Sequence, residues 1–448
     1  MAILSTFGAI AARGFGWVAN LATGAGLYAW GDNSYGQLGT SNTTNYSSPV
    51  QVGALTTWAN VMCGTYVTSA IKTDGTLWMW GANYSGQLGQ GNTTSYSSPV
   101  QVGTLTTWAT AYPIYQSIHV IKTNGTLWAW GDNSYGYLGT SNTTSYSSPV
   151  QVGALTTWAS ATKGFPQYTA LAIKTDGTLW AWGWGTTHNG GNYSNAFDYT
   201  VSTPSGGPPG LDKSSPVQIG AATDWARTAS GQLHALAIKT NGELYAWGDN
   251  RGFECGNDVF TNPAFYFPSA TYGFCNGPDF TYYSYDISAV QAYDSTYTIC
   301  GGGYVTWTYN SPNTSRWGYS SPVQVGALTT WSRVAAGQRS SYAIKTNGTL
   351  WAWGQNSSGQ LGTSNTAAYS SPVQVGALTT WADVFGGNAH CVAIKTDGTL
   401  WAWGFNGAGQ LGQGNTTNRS SPVQVGTATN WLSTGFSSGT NCMLAIRS

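Results

Sequence analysis

The feature that most constrains the fold of this chain is a segment, AIKTDGTLWMWG at residues 70–81, that recurs along the sequence. In each copy, two short apolar runs flank an Asp-Gly or Asn-Gly pair, such as Asp74-Gly75 or Asn124-Gly125. These pairs supply the positive φ that a tight turn requires, so each copy is predicted to be a β-hairpin. Near-copies lie at residues 120–131, 172–183, 237–248, 343–354 and 393–404. The chain is therefore interpreted as an array of structural repeats.

Two further strand-like runs accompany each hairpin, SSPVQVG and a TTW run with the residues that follow it. Each unit thus has four short strands, and four strands in a repeat of about fifty residues are typical of a propeller blade. Very little helix is expected, because the chain contains 60 Gly and almost no apolar run at a 3.6-residue period. The predicted fold class is all-β, a single propeller of four-stranded antiparallel blades.

The two ends of the array predict how the ring closes. Residues 27–30, LYAW, match a fourth strand without its first three, and residues 444–447, LAIR, match a third strand without its fourth. Pairing these two strands would close the ring and satisfy both edges. We assign residues 27–448 to the propeller and residues 1–26 to an N-terminal attachment segment, which is kept as mature protein because no basic residue precedes Arg13.

The spacing of the units shows two expansions. The last Trp of each hairpin recurs after 50 residues at first, but the later gaps include 65 and 106. The expansions, at 184–213 and 257–319, follow W-G in consecutive units and should therefore emerge side by side on one face. Seven copies of the Trp in the TTW run favour seven blades. Eight blades are the alternative, because residues 287–310 weakly resemble a further unit.

Composition limits the partners. Charged residues are 7% of the chain and the net charge is +0, so no strong field attracts nucleic acid or an anionic membrane. The sequence contains no run of about 18 apolar residues, so it predicts no membrane-spanning helix. We therefore expect neither nucleic-acid binding nor membrane insertion.

No pattern in the sequence predicts catalysis, a cofactor or a metal. There is no nucleophile elbow, phosphate loop or zinc signature. A glycosidase requires two carboxylates that face each other across a cleft. The chain has only two Glu, Glu243 and Glu254, which does not indicate such a pair. Asp residues in the expansions leave a carboxylate pair open as an alternative. The protein is predicted not to be an enzyme.

The recurring polar and aromatic positions are interpreted as structural. The repeated Trp residues are expected in the core between blades. One Lys or Arg per unit, such as Lys72, is expected to be solvated on an exposed strand face. His234 and His390 are expected to be buried, hydrogen-bonded side chains.

The six cysteines form no metal-binding pattern. Cys391 and Cys442 are interpreted as buried thiols, because each lies just before an AIK-like strand. Cys255, Cys275 and Cys300 lie in one irregular segment, where one disulfide among them is an open alternative.

Two motifs carry a family resemblance. The run W-G-x-N-x-x-G-Q-L-G lies at 80–89, 353–362 and 403–412, and a Gly precedes His by three residues at 231–234 and 387–390. Together with the hairpin, these runs resemble the repeat of the regulator of chromosome condensation family, over nearly all of residues 27–448. The resemblance implies a seven-bladed propeller. Members of this family act as guanine nucleotide exchange factors or chromatin binders, but this chain lacks their charged loops and basic tails, so exchange activity is the least favoured function.

The predicted working surface is formed by aromatic residues of the two expansions. Aromatic side chains among adaptable polar neighbours are typical of a surface that recognises carbohydrate or protein, although they could equally fold the loops into compact caps. The candidate binding residues are Trp184, His188, Tyr193, Phe197, Tyr199, Phe265, Tyr266, Phe267, Tyr272, Tyr282 and Tyr283.

The N-terminal segment suggests where the protein acts. Its run STFGAIAARGFGW resembles the start of structural proteins in tailed bacteriophages. We therefore expect a binding propeller displayed on a virion or in the extracellular space, anchored to other virion or cell-surface proteins through residues 1–20. The candidate anchoring residues are Phe7, Arg13, Phe15 and Trp17. The alternative is a secreted carbohydrate-binding lectin or adhesin.

Overall fold

The computed structural model describes residues 25–161, 163–164, 169–183, 213–250, 252–256, 297–300, 304–307 and 318–448. These ranges contain seven sheets of at least four strands each and one separate two-stranded sheet. Over the part of the chain that is described, no helix is long and apolar enough to cross a membrane.

Each blade is a meander of four antiparallel strands, here called A to D in the order of the repeat. A strands of neighbouring blades contact one another and line the centre of the propeller. In chain order, β1 (Gly26–Gly31) and β2 (Tyr46–Gln51) come first and are strands C and D of blade 7. Blade 1 contains β3 (Trp58–Cys63), β4 (Val67–Lys72), β5 (Leu77–Gly81) and β6 (Tyr96–Gln101). Blade 2 contains β7 (Trp108–Ile114), β8 (Ser117–Lys122), β9 (Leu127–Gly131) and β10 (Tyr146–Gln151).

The middle blades carry the insertions. Blade 3 contains β11 (Trp158–Ala161), β13 (Thr169–Lys174), β14 (Leu179–Gly183) and β15 (Lys213–Gln218). Blade 4 contains β16 (Trp225–Ser230), β17 (His234–Lys239), β18 (Leu244–Asp249) and β21 (Gly318–Gln324). The short β12 (Lys163–Gly164) follows β11 but pairs in parallel with β16 of blade 4. Between β18 and β21, β19 (Tyr297–Cys300) and β20 (Tyr304–Trp307) pair only with each other. The segment that resembled an eighth unit thus forms a two-stranded sheet in its described part, and the propeller has seven blades.

The remaining strands complete the ring. Blade 5 contains β22 (Trp331–Ala336), β23 (Ser340–Lys345), β24 (Leu350–Gly354) and β25 (Tyr369–Gln374); blade 6 contains β26 (Trp381–Gly386), β27 (His390–Lys395), β28 (Leu400–Gly404) and β29 (Arg419–Gln424); and blade 7 begins with β30 (Trp431–Ser438) and β31 (Cys442–Arg447).

Blade 7 closes the propeller as the sequence predicts. Strand β1 pairs with β31 without interruption, from Gly26 opposite Arg447 to Gly31 opposite Cys442. A disulfide between Cys63 of β3 and Cys442 of β31 also links blade 1 to the closing blade. The interpretation of Cys442 as a free thiol is therefore wrong, because ring closure brings it to a cysteine 379 residues away. Cys255 and Cys391 are buried free thiols, so Cys255 takes no part in a disulfide.

Among the described contacts, a tryptophan on six of the seven C strands is hydrogen-bonded to the preceding blade. The indole Nε1 of Trp80 donates to the backbone oxygen of Gln37, in the C–D loop of blade 7, at 2.9 Å. Gly39 follows in that loop with φ of +75°, and a Cβ there would lie 2.6 Å from Trp80 Nε1. The W-G-x-N-x-x-G-Q-L-G motif is thus explained as one inter-blade contact. Equivalent bonds join Trp30 to Gln410, Trp130 to Gln87, Trp182 to Tyr137, Trp353 to Glu254 and Trp403 to Gln360.

The basic residue of each B strand is stacked rather than freely solvated. Lys72 Nζ lies 3.8 Å from the ring centroid of Trp78 and 5.3 Å from that of Trp58. The same arrangement recurs at the other blades, with Arg447 over Tyr28 in blade 7. The prediction of solvated lysines is wrong, because a blade is covered on both sides by its neighbours and its B strand has no open face.

Candidate binding face

The loops of the propeller open on two opposite faces. A–B and C–D loops open on one, which we call the loop face, whereas B–C turns and D–A connections open on the other, which we call the terminal face. Both chain ends of the described propeller lie on the terminal face, because Gly26 pairs with Arg447 and the amide of Ser448 donates to the backbone oxygen of Asn430.

Both insertions leave and rejoin the propeller on the loop face. In blade 3, Gly183 pairs with Lys213, so the chain departs and returns at the same place. In blade 4, Asp249 pairs with Gly318 in the same way. The expectation that the two expansions emerge on one face from neighbouring blades agrees with these flanking residues.

The residues proposed from the sequence as binding or anchoring groups lie outside the described residues and stay predictions. They are Trp184, His188, Tyr193, Phe197, Tyr199, Phe265, Tyr266, Phe267, Tyr272, Tyr282 and Tyr283 in the insertions, and Phe7, Arg13, Phe15 and Trp17 in the N-terminal segment.

A second aromatic group lies on the loop face itself. Tyr35, in the C–D loop of blade 7, contacts Tyr66 of the blade 1 A–B loop with ring centroids 4.6 Å apart. It also meets Tyr84, from the next C–D loop, edge to face at 6.0 Å. Tyr84 is 61% exposed. Tyr115 follows in the A–B loop of blade 2, where the neighbouring side chains of Ser85 and Gln116 are hydrogen-bonded at 3.0 Å.

We call these four residues, Tyr35, Tyr66, Tyr84 and Tyr115, the tyrosine patch. Burial and then the neighbouring phenols of Tyr35 and Tyr115 raise the pKa of Tyr66. Its hydroxyl therefore stays protonated at neutral pH, able both to donate and to accept a hydrogen bond. The patch combines tilted and edge-to-face rings with such hydroxyls, and aromatic side chains with a polar group are enriched at protein interfaces.

The sequence contained a signal for this patch that the search for expanded loops missed. The C–D loops of the regular blades are almost identical, but their tips differ. Tyr35 and Tyr84 occupy tip positions where blade 5 has Ser358 and Ser357. Substitutions at the tips of an otherwise copied loop leave the fold unchanged and alter only the surface, so they mark positions at which one blade differs functionally from another.

Three A strands place charge at the centre of the propeller. Arg227, Arg333 and Asp383 occupy the same strand position in blades 4, 5 and 6. Burial, followed by the positive charge of Arg333, lowers the pKa of Arg227 to about 10, and Asp383 opposes this change. Arg333 Nη1 donates to the backbone oxygen of Ser332 at 3.1 Å. The three groups give this side of the centre a net positive charge.

The histidines are structural, as predicted. His234 Nε2 lies 3.0 Å from Ser341 Oγ and His390 Nε2 lies 2.8 Å from Ser438 Oγ, each across a blade boundary. Burial lowers the pKa of His234 to about 4 and that of His390 to about 3, so both are neutral at physiological pH. Within the described ranges, no group of three or more His, Cys, Asp or Glu side chains is arranged to hold a metal ion.

Comparison with known proteins supports the repeat assignment. The family model of the Regulator of chromosome condensation (RCC1) repeat matches residues 25–71, 74–111, 124–164, 347–394 and 397–446. A second model of the same repeat matches residues 226–256, 331–360 and 381–410. Together they match more than half of the chain.

Solved structures show the same fold at low sequence identity. Prp20p from Saccharomyces cerevisiae, reported with its binding properties to Gsp1p and histones, is 15% identical with a TM-score of 0.71, and the match covers 95% of this chain and 92% of that one. Yeast RCC1 (Prp20) bound to Kap60 is 16% identical with a TM-score of 0.72, covering 100% and 95%. Human WBSCR16 is 16% identical with a TM-score of 0.68, covering 95% and 99%. These likenesses concern the fold alone.

Proposed function

Because this chain belongs to the regulator of chromosome condensation (RCC1) repeat family, we propose that it is a non-enzymatic binding propeller that is anchored from its terminal face and binds a partner with its loop face. The observation that carries this proposal is the separation of the two faces. The described propeller begins at the terminal face, whereas the residues that flank both insertions and the tyrosine patch lie on the loop face.

The proposed location is a virion surface or another extracellular surface. The N-terminal run that resembles phage structural proteins supports a virion, and the low charged fraction of 7% is typical of displayed repeat proteins. The disulfide between Cys63 and Cys442 adds a physical reason, since such bonds persist in oxidising surroundings and are rare in the cytosol.

The proposed partner is a host-surface protein or glycan of low charge. The tyrosine patch offers ring faces and hydroxyls but few charges, which suits a neutral surface rather than a strongly charged one. Prp20p binds Gsp1p and histones. A corresponding role for this chain is the less favoured candidate, because it has 16 basic and 16 acidic residues and so no field to attract basic histones or nucleic acid.

The binding test uses substitutions that the repeat already contains. Tyr84→Ser and Tyr35→Ser introduce the residues found at the matching loop tips of blade 5, so the loops should keep their conformation. Labelled protein is measured on host cells and on a glycan array. We expect the double variant to bind at least tenfold more weakly, since each anchor contributes about 1 kcal/mol or more. Leu105→Ser, at a 45% exposed residue of the terminal face, is the control and should bind normally.

Two results would contradict the proposal. Undiminished binding by the double variant, with loss in the Leu105→Ser control, would assign recognition to the terminal face. Accelerated nucleotide release from a small GTPase would favour an exchange-factor role.

The anchoring test compares the whole chain with a variant that lacks residues 1–20. Only the whole chain should co-purify with a virion-sized particle. Equal association of both forms with the particle would remove the anchoring role from the N-terminal segment, and two free monomers would favour the secreted lectin or adhesin.

A further inference from the structure

The tyrosine patch contains an amide group that is held in place beside its rings. Ser85 Oγ, at the tip of the blade 1 C–D loop, donates to Gln116 Oε1 in the blade 2 A–B loop at 3.0 Å. This bond occupies the oxygen of the Gln116 amide and leaves its Nε2, which carries two hydrogens, to donate to a ligand. Tyr84 precedes Ser85 and Tyr115 precedes Gln116, so the same bond joins the two loops that carry these tyrosines.

The backbone fixes the position of Gln116, whereas its side chain is particular to blade 2. The backbone oxygen of Gln116 accepts from the amide of Asp132 at 2.9 Å, and that of Tyr66 accepts from Ala82 in the same way. A side-chain difference at this position therefore changes the surface without changing the fold. The equivalent residues in other blades, which accept the same backbone bond, are Leu233, Arg339, Ala389 and Asn441.

The exposed apolar groups of the loop face are aromatic. In the described part of the chain, the most exposed large apolar residues of this face are Tyr84 and Tyr135, at 61% and 36%. Leucines such as Leu105 are exposed only on the terminal face. A stable protein interface buries a continuous apolar core, but Tyr84 has the polar side chains of Ser85 and Gln116 beside it. A sugar suits this surface better, because its C–H groups can rest on the electron-rich ring face while its hydroxyls meet polar groups at the edge.

The charges around the patch favour an uncharged sugar. The loops that carry the patch, residues 32–45, 64–66, 82–95 and 115–116, contain no Lys or Arg. Their one acidic residue is Asp32, whose Oδ2 accepts from Gln37 Nε2 at 2.9 Å. A sialylated, sulfated or phosphorylated sugar would bring a negative charge to loops that offer it no cation and one like charge.

We propose that the tyrosine patch is a binding site for a neutral oligosaccharide, in which a pyranose ring stacks on Tyr84 and its hydroxyl oxygens accept from Gln116 Nε2. Tyr35 meets Tyr84 edge to face at 6.0 Å and so supports the stacking ring from the side. Tyr66, with its ring centroid 4.6 Å from that of Tyr35, extends the surface for a second sugar unit. This inference rests on the proposed function, because it names the class of partner that the loop face binds.

A glycan array tests the class of sugar with the full-length protein. The array carries neutral oligosaccharides together with their sialylated and sulfated counterparts, and the neutral members should be bound best. The neutral oligosaccharide that binds best on the array, added in solution, should then compete with attachment of the protein to host cells. Mild periodate treatment of those cells, which cleaves the vicinal diols of sugars, should abolish attachment.

Three variants test the roles of the ring and of the amide. Tyr84→Ser removes the ring and should weaken binding of the neutral oligosaccharide about tenfold, whereas Tyr84→Phe keeps the ring and should bind within about twofold of the parent. Gln116→Glu keeps an oxygen that accepts from Ser85 but removes the donor, so binding should weaken about fivefold. Equal thermal unfolding midpoints of the parent and the variants would show that these surface changes leave the fold intact.

Several results would overturn the inference. They are a preference for acidic over neutral glycans, no binding to any neutral glycan on the array, equal losses in Tyr84→Phe and Tyr84→Ser, and undiminished binding by Gln116→Glu. Cell attachment that survives periodate but is lost in Tyr84→Ser would replace the sugar by a protein partner and leave the proposed function intact. Cell attachment that is unaffected by Tyr84→Ser would refute both the sugar site and the loop face as the recognition surface.

Discussion

Two buried tryptophans of blade 1 allow the contribution of a single hydrogen bond to be measured. Trp80 is 0% exposed and its Nε1 donates to the backbone oxygen of Gln37. Trp58 is 1% exposed, but its Nε1 has no hydrogen-bond partner. Replacing each by Phe removes the same atoms from a core of similar burial. The cavity and transfer contributions therefore largely cancel in the difference between the two variants.

The difference can be worked from the contacts. Trp80→Phe loses an inter-blade hydrogen bond, which costs about 1 kcal/mol, while the oxygen of Gln37 keeps its bond from Thr68 Oγ1 at 2.7 Å. Trp58→Phe removes a buried unpaired N–H, which relieves about 1 to 2 kcal/mol. The same substitution weakens the cation–π contact with Lys72, whose Nζ lies 5.3 Å from the Trp58 ring centroid. This loss offsets about 0.5 kcal/mol of the relief. Trp80→Phe should thus be the more destabilising change, by about 2 kcal/mol.

Urea unfolding at 25 °C, followed by far-UV circular dichroism, provides the measurement. Equal m values in both variants would show that the denatured states are comparable, so the difference in midpoints reports the folded state. Trp130 and Trp108 of blade 2 repeat the comparison, since Trp130 is hydrogen-bonded to Gln87 and Trp108 Nε1 is unpaired. If the unpaired tryptophans proved as costly to replace as the bonded ones, the indole N–H groups would have partners, and the reasoning would fail.

Three further predictions concern the glycine turns, the disulfide and the stacked lysines of the propeller. Gly125→Ala should destabilise the folded protein by about 3 kcal/mol, because φ is +75° and the new Cβ would lie 2.2 Å from a carbonyl oxygen. Gly103→Ala is the matched control, with φ of +57° and no atom within 4 Å of the new Cβ, and should cost only about 1 kcal/mol in the same urea titration. Reduction with dithiothreitol should lower stability by about 3 kcal/mol, and a Cys63→Ser, Cys442→Ser double variant should no longer respond to the reductant. Lys345→Met keeps the apolar stem but removes the charge 3.7 Å from an indole centroid, so we expect a loss of about 1 kcal/mol that added salt only partly masks.

The sequence determined the fold because each unit carries its own turn signals. The Asp-Gly turns fixed the register of the central hairpin, and the incomplete units at the two ends predicted the pairing of β1 with β31. The stacking of Lys72 could not be found by strand alternation alone. That pattern distinguishes two faces of a strand but does not show that neighbouring blades cover both faces.

The disulfide shows a second limit of reasoning from local sequence. Cys63 ends an A strand and Cys442 begins a B strand, so neither position alone predicts a bond. The pairing follows only once the ring is closed and blade 7 is placed beside blade 1. The tyrosine patch was missed for a related reason, because its members come from four separate loops of three blades and become neighbours only in the closed propeller.

Near-identical blades raise the question of how the propeller can recognise anything in a single orientation. Identical loops around a ring would present the same surface seven times. The terminal face is close to such a repeated surface, because five of its seven D–A connections expose an equivalent leucine. These are Leu55, Leu105, Leu155, Leu328 and Leu378. The loop face is not repeated in this way. The tyrosine patch belongs to blades 7, 1 and 2, whereas the insertions and Glu254 belong to blades 3 and 4. A partner that needs one defined orientation can find it only where the repeat is broken, which favours the loop face as the recognition surface and leaves the repeated face for attachment.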